Sequence, residues 1–175
     1  MDEEAALITR IQAGDETSLK ELFDLSSRHV YGLAWQILKS REDAEEVLQD
    51  TFVKLYQNNG FNPSYGSARA YLYAIARNEA FMRLRAKGSR PQLSEIDLHD
   101  PNTHFQASSI NQDNKLVVEK ALSSLESTDA KLLKASFYWG YTHDELAQQT
   151  GLPLGTVKSR VRRALLRLRD LLGDI

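Results

Sequence analysis

The sequence predicts an all-α protein of two small helical domains joined by a flexible linker, the C-terminal domain being a helix-turn-helix. The chain is rich in good helix formers and holds only four prolines among 175 residues. Apolar residues recur at three- and four-residue steps up to residue 88 and again after residue 113, which is typical of amphipathic helices. Residues 89–113 lose this period and are rich in Pro, Ser, Asn and Asp, which predicts a linker.

The first domain is predicted over residues 1–88. In DAEEVLQDTFVKLYQ the apolar side chains form one stripe opposite an acidic face (Ala44, Val47, Leu48, Phe52 and Leu55). The preceding stretch, residues 19–38, is expected to form its partner helix, and Ser40 or Asp43 to cap the acidic helix. Residues 58–67, NNGFNPSYGS, predict a loop because they are dense in turn formers. Residues 68–87 contain no Gly or Pro and predict another helix.

The second domain is predicted over residues 114–175 and contains two helices that meet at a tight turn. Thr142 and Glu145 form a T-x-x-E capping box at the start of the first of these helices. Gly151 is expected to adopt positive φ just past its end, and Pro153 to block its continuation. A new helix then starts near Gly155, with apolar residues expected on its core side (Val157, Val161, Ala164, Leu165, Leu168 and Leu172). This order predicts a helix-turn-helix.

The second helix of this motif is strongly basic, although the chain carries a formal net charge of −2. Its outer side includes Lys158, Ser159, Arg162 and Arg163. In a helix-turn-helix this helix enters the major groove of DNA, where arginines bind base edges and other cations bind phosphates. The alternative is a solvated basic face on an ordinary helical hairpin. The capping box, the small-residue turn and the charge together favour DNA binding.

A second basic helix is predicted at residues 68–87. Tyr71, Asn78 and Arg85 fall nearly on one line of it, because seven residues make almost two turns. An aromatic ring, an amide and a guanidinium in a row suit an unpaired base, which they would stack on, hydrogen-bond and anchor by its phosphate. The alternative is that Tyr71 is a core aromatic and Asn78 a surface amide.

Several classes of protein are excluded or disfavoured. The chain has no cysteine, which rules out disulfides, thiolate metal sites and a cysteine nucleophile. Its four histidines are scattered, and no P-loop or Rossmann fingerprint occurs, so neither an enzyme activity nor a metal or cofactor is expected. No stretch of about 18 apolar residues could span a membrane, and the acidic N-terminus is unlike a signal peptide. A cytoplasmic protein is therefore expected.

Three motifs in order resemble one family. DAEEVLQDTFVKLYQ, then ARAYLYAIARNEAFMRLR, and after a variable linker THDELAQQTGLPLGTVKSRVRRAL resemble an extracytoplasmic-function (ECF) sigma factor of bacterial RNA polymerase, of the sigma-70 family. The resemblance covers nearly the whole chain outside the linker. Tyr71 stands where the family usually has Trp, and Tyr141 and His143 depart from the usual pattern before the helix-turn-helix.

The resemblance implies three binding sites. The acidic helix would bind the clamp helices of the largest catalytic subunit of core RNA polymerase, through Glu45, Glu46, Gln49, Asp50, Val53 and Lys54. The loop and the second basic helix would read and open the −10 element, with a non-template base flipped into a pocket near Asn78; this site comprises Phe61, Asn62, Ser64, Tyr65, Tyr71, Arg77, Asn78, Arg83, Arg85 and Lys87. The −35 element would be bound as duplex by Thr156, Lys158, Ser159, Arg160, Arg162 and Arg163, with Arg160 at a phosphate.

Further partners and one alternative function follow from the same pattern. Leu165, Leu166 and Leu168 would either contact the flap of the second-largest polymerase subunit or pack in the core. An anti-sigma protein is an expected partner by the resemblance. The alternative function is a stand-alone helix-turn-helix transcriptional regulator, which would not need the acidic helix or the basic segment 61–87. A helical adaptor without a nucleic-acid role would leave both basic helices unexplained.

Overall fold

The computed structural model describes residues 3–88 and 112–172 and confirms the all-α prediction. Within these ranges the chain forms helices and turns and no strand. The helices are α1 (Glu3–Gln12), α2 (Glu16–Leu38), α3 (Arg41–Gln57), α4 (Ala68–Ala86), α5 (Gln112–Ser123), α6 (Ser127–Tyr138), α7 (His143–Thr150) and α8 (Leu154–Leu172), with a short 3-10 turn at Pro63–Tyr65. No helix in the described ranges is long and apolar enough to cross a membrane.

The chain divides into two compact units close to residue 89. Of the linker predicted at residues 89–113, residues 89–111 lie outside the described ranges. Helix α5 begins at Gln112, two residues before the start expected from the sequence. The domain boundaries at residues 88 and 114 stay a prediction.

The first unit is built from α2, α3 and α4, which pack on one another, and α1 packs on α2 and α4. Leu22, Leu55 and Leu72 are fully buried in its core, one from each of the three central helices. Helix α1 is attached through Glu4, whose buried carboxylate accepts a hydrogen bond from Ser26 Oγ at 3.0 Å. Arg69 Nη2 lies 3.4 Å from the same oxygen, so this carboxylate joins α1 to α2 and α4.

The apolar stripe predicted on α3 is confirmed, since Ala44, Val47, Phe52 and Leu55 are buried. Leu48 is half-buried and packs against the same core. Of the two capping residues considered for α3, Ser40 is the N-cap and accepts a hydrogen bond from the backbone N–H of Asp43 at 3.3 Å.

The second unit packs α5, α6 and α7 around α8, with Leu132, Leu146 and Val157 almost fully buried. One core prediction is wrong: Leu165 is 39% exposed. The buried stripe of α8 runs through Val157, Val161 and Ala164. At about 100° per residue Leu165 stands roughly 80° round the helix from Val157, at the edge of the face that the other helices cover.

Candidate nucleic-acid and polymerase interface

The turn before α8 has the geometry that the sequence predicts. Thr142 Oγ1 accepts a hydrogen bond from the backbone N–H of Glu145, and the Glu145 carboxylate accepts one from the N–H of Thr142 at 2.7 Å, which confirms the capping box. Gly151 is left-handed, with φ 70°, as predicted. The carbonyl of Pro153 then accepts from the N–H groups of Thr156 and Val157, so α8 starts one residue earlier than expected, at Leu154.

The first two turns of α8 present an exposed polar face. Lys158, Ser159, Arg162 and Arg163 are exposed and Thr156 is half-buried. Ser159 Oγ donates to the carbonyl of Thr156 at 3.0 Å, a bond that a competing acceptor or donor in a groove can replace. This face therefore offers cations and hydroxyls at the start of α8, just after the tight turn at Gly151.

Arg160 differs from the other cations of α8 because its guanidinium is bound inside the unit. Its Nη1 donates to Asp129 Oδ1 at 2.9 Å and to Glu126 Oε1 at 3.3 Å, and only 26% of its side chain is exposed. These carboxylates raise the pKa of Arg160 above its usual value, Asp129 having the larger effect. No sequence pattern indicated this contact, since Asp129 lies 31 residues away on α6.

The acidic face of α3 is divided between solvent and α4. Glu45, Glu46, Gln49 and Val53 are exposed, and Asp50 and Lys54 are half-buried. Glu45 accepts a hydrogen bond from Arg41 Nε at 2.9 Å, one turn earlier on the same helix. Val53, one turn after Gln49, is 51% exposed, so this face also presents an apolar side chain.

Ion pairs connect the residues predicted to bind polymerase with those predicted to bind the −10 element. Arg83 Nη2 on α4 lies 2.5 Å from Asp50 Oδ2, and Arg83 Nε lies 3.5 Å from Glu46 Oε2, both on α3. Lys54 of α3 lies 2.5 Å from the buried carboxylate of Glu79 on α4. Lys87 pairs with Asp43, and this contact holds the pKa of the Asp43 carboxyl below its usual value. Charged side chains of the two predicted sites are thus joined by ion pairs between α3 and the α4 segment.

The loop before α4 is fixed by aromatic packing. Phe61 is buried in the core of the first unit, and its ring lies 5.4 Å from the ring of Tyr71, which is half-buried. Asn62 caps the 3-10 turn that ends at Tyr65, because its Oδ1 accepts from the N–H of Ser64 at 2.9 Å. Asn62 and Ser64 are exposed. Phe61 and Tyr71 therefore support the loop from beneath, while Asn62 and Ser64 face solvent.

Helix α4 places Asn78 in solvent, between two arginines. Asn78 is exposed, and Arg77 and Arg85 are half-buried. Burial lowers the pKa of the Arg77 guanidinium below its usual value. The line predicted through Tyr71, Asn78 and Arg85 thus runs from a packed ring to an exposed amide and a partly covered cation.

Sequence reasoning missed three acids that hold these sites in place. Asp129 and Glu126 bind Arg160, and Glu79 binds Lys54. Asp129 and Glu79 are 6% exposed, and burial of a carboxylate is the one signal that would have found them. Burial is a property of the packed unit, so the signal appears only with the fold. Among the described residues no group of three or more His, Cys, Asp or Glu could hold a metal ion.

Family models match both units. The model described as Sigma-70 region 2 matches residues 22–90, and the model described as Sigma-70, region 4 matches residues 121–170. Together they cover more than half of the chain and include α3, α4 and the helix-turn-helix. Their order along one chain is that of a sigma factor.

Curated relatives narrow this class. The ECF RNA polymerase sigma factor RpoE of Cereibacter sphaeroides is 34% identical over 159 residues, covering 89% of this chain and 87% of RpoE. The ECF RNA polymerase sigma factor SigK of Mycolicibacterium vanbaalenii is 27% identical and covers 96% of this chain and 88% of SigK. Among solved structures, Rhodobacter sphaeroides SigE in complex with the anti-sigma ChrR is 32% identical, covers 96% of this chain and 97% of that one, and gives a TM-score of 0.45.

The chain belongs to the ECF RNA polymerase sigma factors of the sigma-70 family. Its function is accordingly that of a promoter-recognising sigma factor of RNA polymerase. A stand-alone helix-turn-helix regulator is not favoured, because the region 2 match covers the acidic helix and the basic segment that such a regulator would not need.

Proposed function

We propose that this sigma factor binds the −35 element through α8, opens the −10 element with the 58–67 loop and α4, and binds core RNA polymerase through α3. The observation that carries the proposal is the exposed basic face on the first turns of α8, which follow the tight turn at Gly151. The same chain carries a second basic helix, α4, which exposes the amide of Asn78. The loop before α4 is held by the packing of Phe61 against Tyr71.

The −35 site consists of Thr156, Lys158, Ser159, Arg160, Arg162 and Arg163. Exposed arginines on a recognition helix bind guanine O6 and N7, and lysine and hydroxyl groups bind phosphates or base edges. Burial of Val157, Val161 and Ala164 turns this polar side outward. The expected ligand is duplex DNA entered through its major groove.

The −10 site comprises Phe61, Asn62, Ser64, Tyr65, Tyr71, Arg77, Asn78, Arg83, Arg85 and Lys87, with unequal roles. The amides of Asn62 and Asn78 and the hydroxyl of Ser64 are exposed and can form hydrogen bonds with the edge of an unpaired base. Phe61 and Tyr71 act by holding the loop, since the first is buried and the second half-buried. The cations of α4 would follow the phosphates of the displaced strand.

The polymerase site on α3 comprises Glu45, Glu46, Gln49, Asp50, Val53 and Lys54. Gln49 and Val53 are its exposed uncharged residues and would supply the contacts that do not depend on charge. The surrounding acids would steer the encounter with a basic surface more than they add to affinity. A Val53→Asp variant should therefore lose binding to core polymerase in co-elution, while Glu45→Gln mainly slows association at low salt.

Three further properties belong to the same proposal. The protein supplies no catalytic group of its own, so nucleotide polymerisation remains with the partner enzyme. It would act in the cytoplasm, where core polymerase and promoters are found. An anti-sigma protein is a further expected partner, and SigE of Rhodobacter sphaeroides is solved in complex with such a protein, ChrR.

Promoter-directed run-off transcription tests the proposal. Core RNA polymerase is supplied with or without the protein on a library of genomic fragments, and transcripts are mapped. Discrete transcripts that need the protein are expected, and they should be lost on Asn78→Ala or Arg162→Ala. Arg28→Ala and Arg169→Ala are matched controls, since both remove an exposed arginine outside the proposed sites.

Two results would reject the proposal. One is the absence of any transcript that depends on the protein. The other is tight binding of a dimer to duplex DNA without polymerase, which would identify a stand-alone regulator.

A further inference from the structure

Asp129 is a buried acid that contacts two arginines of the recognition helix α8. Its residue is 6% exposed, and it lies in the first turn of α6. One carboxylate oxygen, Oδ1, is 2.9 Å from Arg160 Nη1. The other, Oδ2, is 3.7 Å from Arg163 Nε. A single carboxylate on α6 therefore bridges two cations that lie three residues apart on α8.

The two arginines are held to different extents. The side chain of Arg160 is 26% exposed and also pairs with Glu126, so its guanidinium is bound to two carboxylates. Arg163 stays 65% exposed and is contacted through Nε, the guanidinium nitrogen nearest its own helix. The outer end of Arg163 is thus left to a ligand, while the inner end is held.

The position of Asp129 suits a fixed negative charge. A carboxylate in the first turn of a helix is stabilised by the unpaired backbone N–H groups and by the helix dipole. A buried carboxylate between two guanidinium groups also has little freedom to rotate. This makes Asp129 a rigid reference point for side chains of α8.

We infer that Asp129 is a positioning residue for −35 recognition: through Oδ1 it anchors α8 by way of Arg160, and through Oδ2 it orients Arg163 toward the base edges. The inference rests on the proposed function of α8 and assigns roles within it. Arg160 then acts from inside the unit and does not bind a phosphate, whereas Arg163 is the arginine presented to a base.

Two simpler roles for Asp129 predict that its removal changes binding to all DNA sequences equally. If the acid only reduced the positive charge of α8, its removal would free two cations and strengthen binding to every DNA sequence alike. If it only stabilised the fold, its removal would weaken binding to every sequence alike, because fewer molecules would be folded. A positioning role alone lowers the preference for the correct base.

The test uses the full chain assembled with core polymerase. The probe is a duplex promoter fragment obtained from the run-off experiment, together with fragments that carry single base changes in the −35 element. Asp129→Asn should reduce discrimination between the preferred and the substituted base at one position about tenfold, the size of one lost bidentate contact. Asp170→Asn removes an exposed acid of α8 that contacts neither Arg160 nor Arg163, and it should leave discrimination unchanged.

The salt dependence of binding distinguishes Arg160, which is held inside the unit, from an exposed cation of α8 that binds a phosphate. A residue that binds a phosphate contributes about one unit to the slope of log affinity against log salt. Lys158→Gln, which removes an exposed cation proposed to bind a phosphate, should therefore lower the slope by about one unit. Arg160→Gln should lower affinity and leave the slope unchanged, and combining it with Asp129→Asn should add little further loss.

Either of two results would overturn the inference. One is an Asp129→Asn protein that keeps wild-type base discrimination, whether its overall affinity rises or falls. The other is an Arg160→Gln protein whose salt slope falls as much as that of Lys158→Gln. Failure of the proposed function itself would look different, since wild-type protein would then give no promoter-specific binding at all.

Discussion

Tyr71 shows at the scale of one residue how the loop before α4 is held. Its ring packs at 5.4 Å from that of the buried Phe61. Its hydroxyl lies so close to the backbone of Gly60 that a Cβ at that position would come within 3.1 Å of it. The close approach of the Tyr71 hydroxyl therefore favours glycine at position 60. The hydroxyl is also an atom that the family's usual Trp lacks.

A methyl group at Gly60 is accordingly expected to destabilise the first unit. Gly60→Ala should lower the free energy of unfolding by about 1 kcal/mol, because the new methyl group would lie closer to the Tyr71 hydroxyl than an ordinary contact allows. Tyr71→Phe removes the hydroxyl, so the double variant should regain most of the loss. Urea unfolding measures both. An equal cost of Gly60→Ala in the wild-type protein and in the Tyr71→Phe variant would contradict this account.

Asp15 links stability to pH through a different residue-scale contact. Its carboxylate caps α2 and accepts hydrogen bonds from Thr17, Ser18 and Arg10. These bonds, led by the one from Thr17, place the pKa of Asp15 well below its usual value of 3.8. Because the folded state binds the proton less readily than the unfolded state, the stabilisation is complete above pH 3.8 and is lost as pH falls toward the folded pKa.

Asp15→Asn isolates this effect, since Asn caps helices about as well as Asp but does not titrate. The wild type should be the more stable of the two at about pH 6, where the carboxylate is charged in both the folded and the unfolded chain. The difference should shrink steadily as the pH falls below 3.8. Thermal unfolding of both proteins over this range measures it. A difference that stays constant with pH would show that the carboxylate charge contributes nothing.

At the scale of elements, α3 and α4 are joined by charge as well as by their apolar stripes. The pair most sheltered from water is Lys54 with Glu79, whose side chains are 41% and 9% exposed. Removing Lys54 leaves a buried carboxylate without this partner. The cost lies between that of breaking an exposed pair and that of breaking a fully buried one.

Lys54→Met should therefore destabilise the first unit by about 2 kcal/mol. Lys54→Met with Glu79→Gln should be more stable than Lys54→Met alone, because the unpaired charge is gone. Chemical denaturation gives both values. Lys20→Met, an exposed lysine on α2, is the control and should cost little. A double variant no more stable than the single one would show that Glu79 does not depend on Lys54.

The capping box of α7 carries an element-scale prediction for the second unit. With only eight residues, α7 depends strongly on its caps. Thr142→Ala should lower stability by about 1 kcal/mol, and Thr142→Ser should keep most of it because the hydroxyl remains. Amide exchange in α7 is the measurement. Equal protection in the alanine and serine variants would exclude the hydroxyl as the cause.

Local features of these elements could be predicted from the sequence, whereas contacts between them could not. The caps at Ser40 and Thr142 and the buried stripe of α3 each depend on residues a few positions apart, so a one-dimensional pattern contains them. The pairs Arg83 with Asp50 and Lys87 with Asp43 join residues 33 and 44 positions apart. Charge pattern alone offers many such pairings, and only packing selects among them.

At the scale of the whole molecule, the described residues form two separate hydrophobic cores. The described residues of the first core come from α1 to α4 and the loop, and those of the second from α5 to α8, with no residue in common. The motifs predicted this division because each one lies within a single unit. The proposed site residues are divided between the same two units, those for polymerase and the −10 element lying in the first and those for the −35 element in the second.

A core substitution should therefore affect one unit and spare the other. Leu146 is fully buried in the second core, and Leu146→Ala should cost that unit about 3 kcal/mol. Hydrogen exchange should accelerate in α6 to α8 and remain at wild-type rates in α2 to α4. The converse should hold for Leu72→Ala in the first core. Loss of protection in both units from either change would show that they unfold as one.

The shared charges of α3 and α4 also set a rule for engineering promoter preference. Arg83 of α4 and Lys87, which directly follows α4, pair with acids at positions 43, 46 and 50 of α3. A chimera that takes only the 58–87 segment from another sigma factor would leave carboxylates facing the wrong partners. Chimeras that carry both helices should keep these ion pairs and remain folded. Residues at these five positions should covary among related sequences.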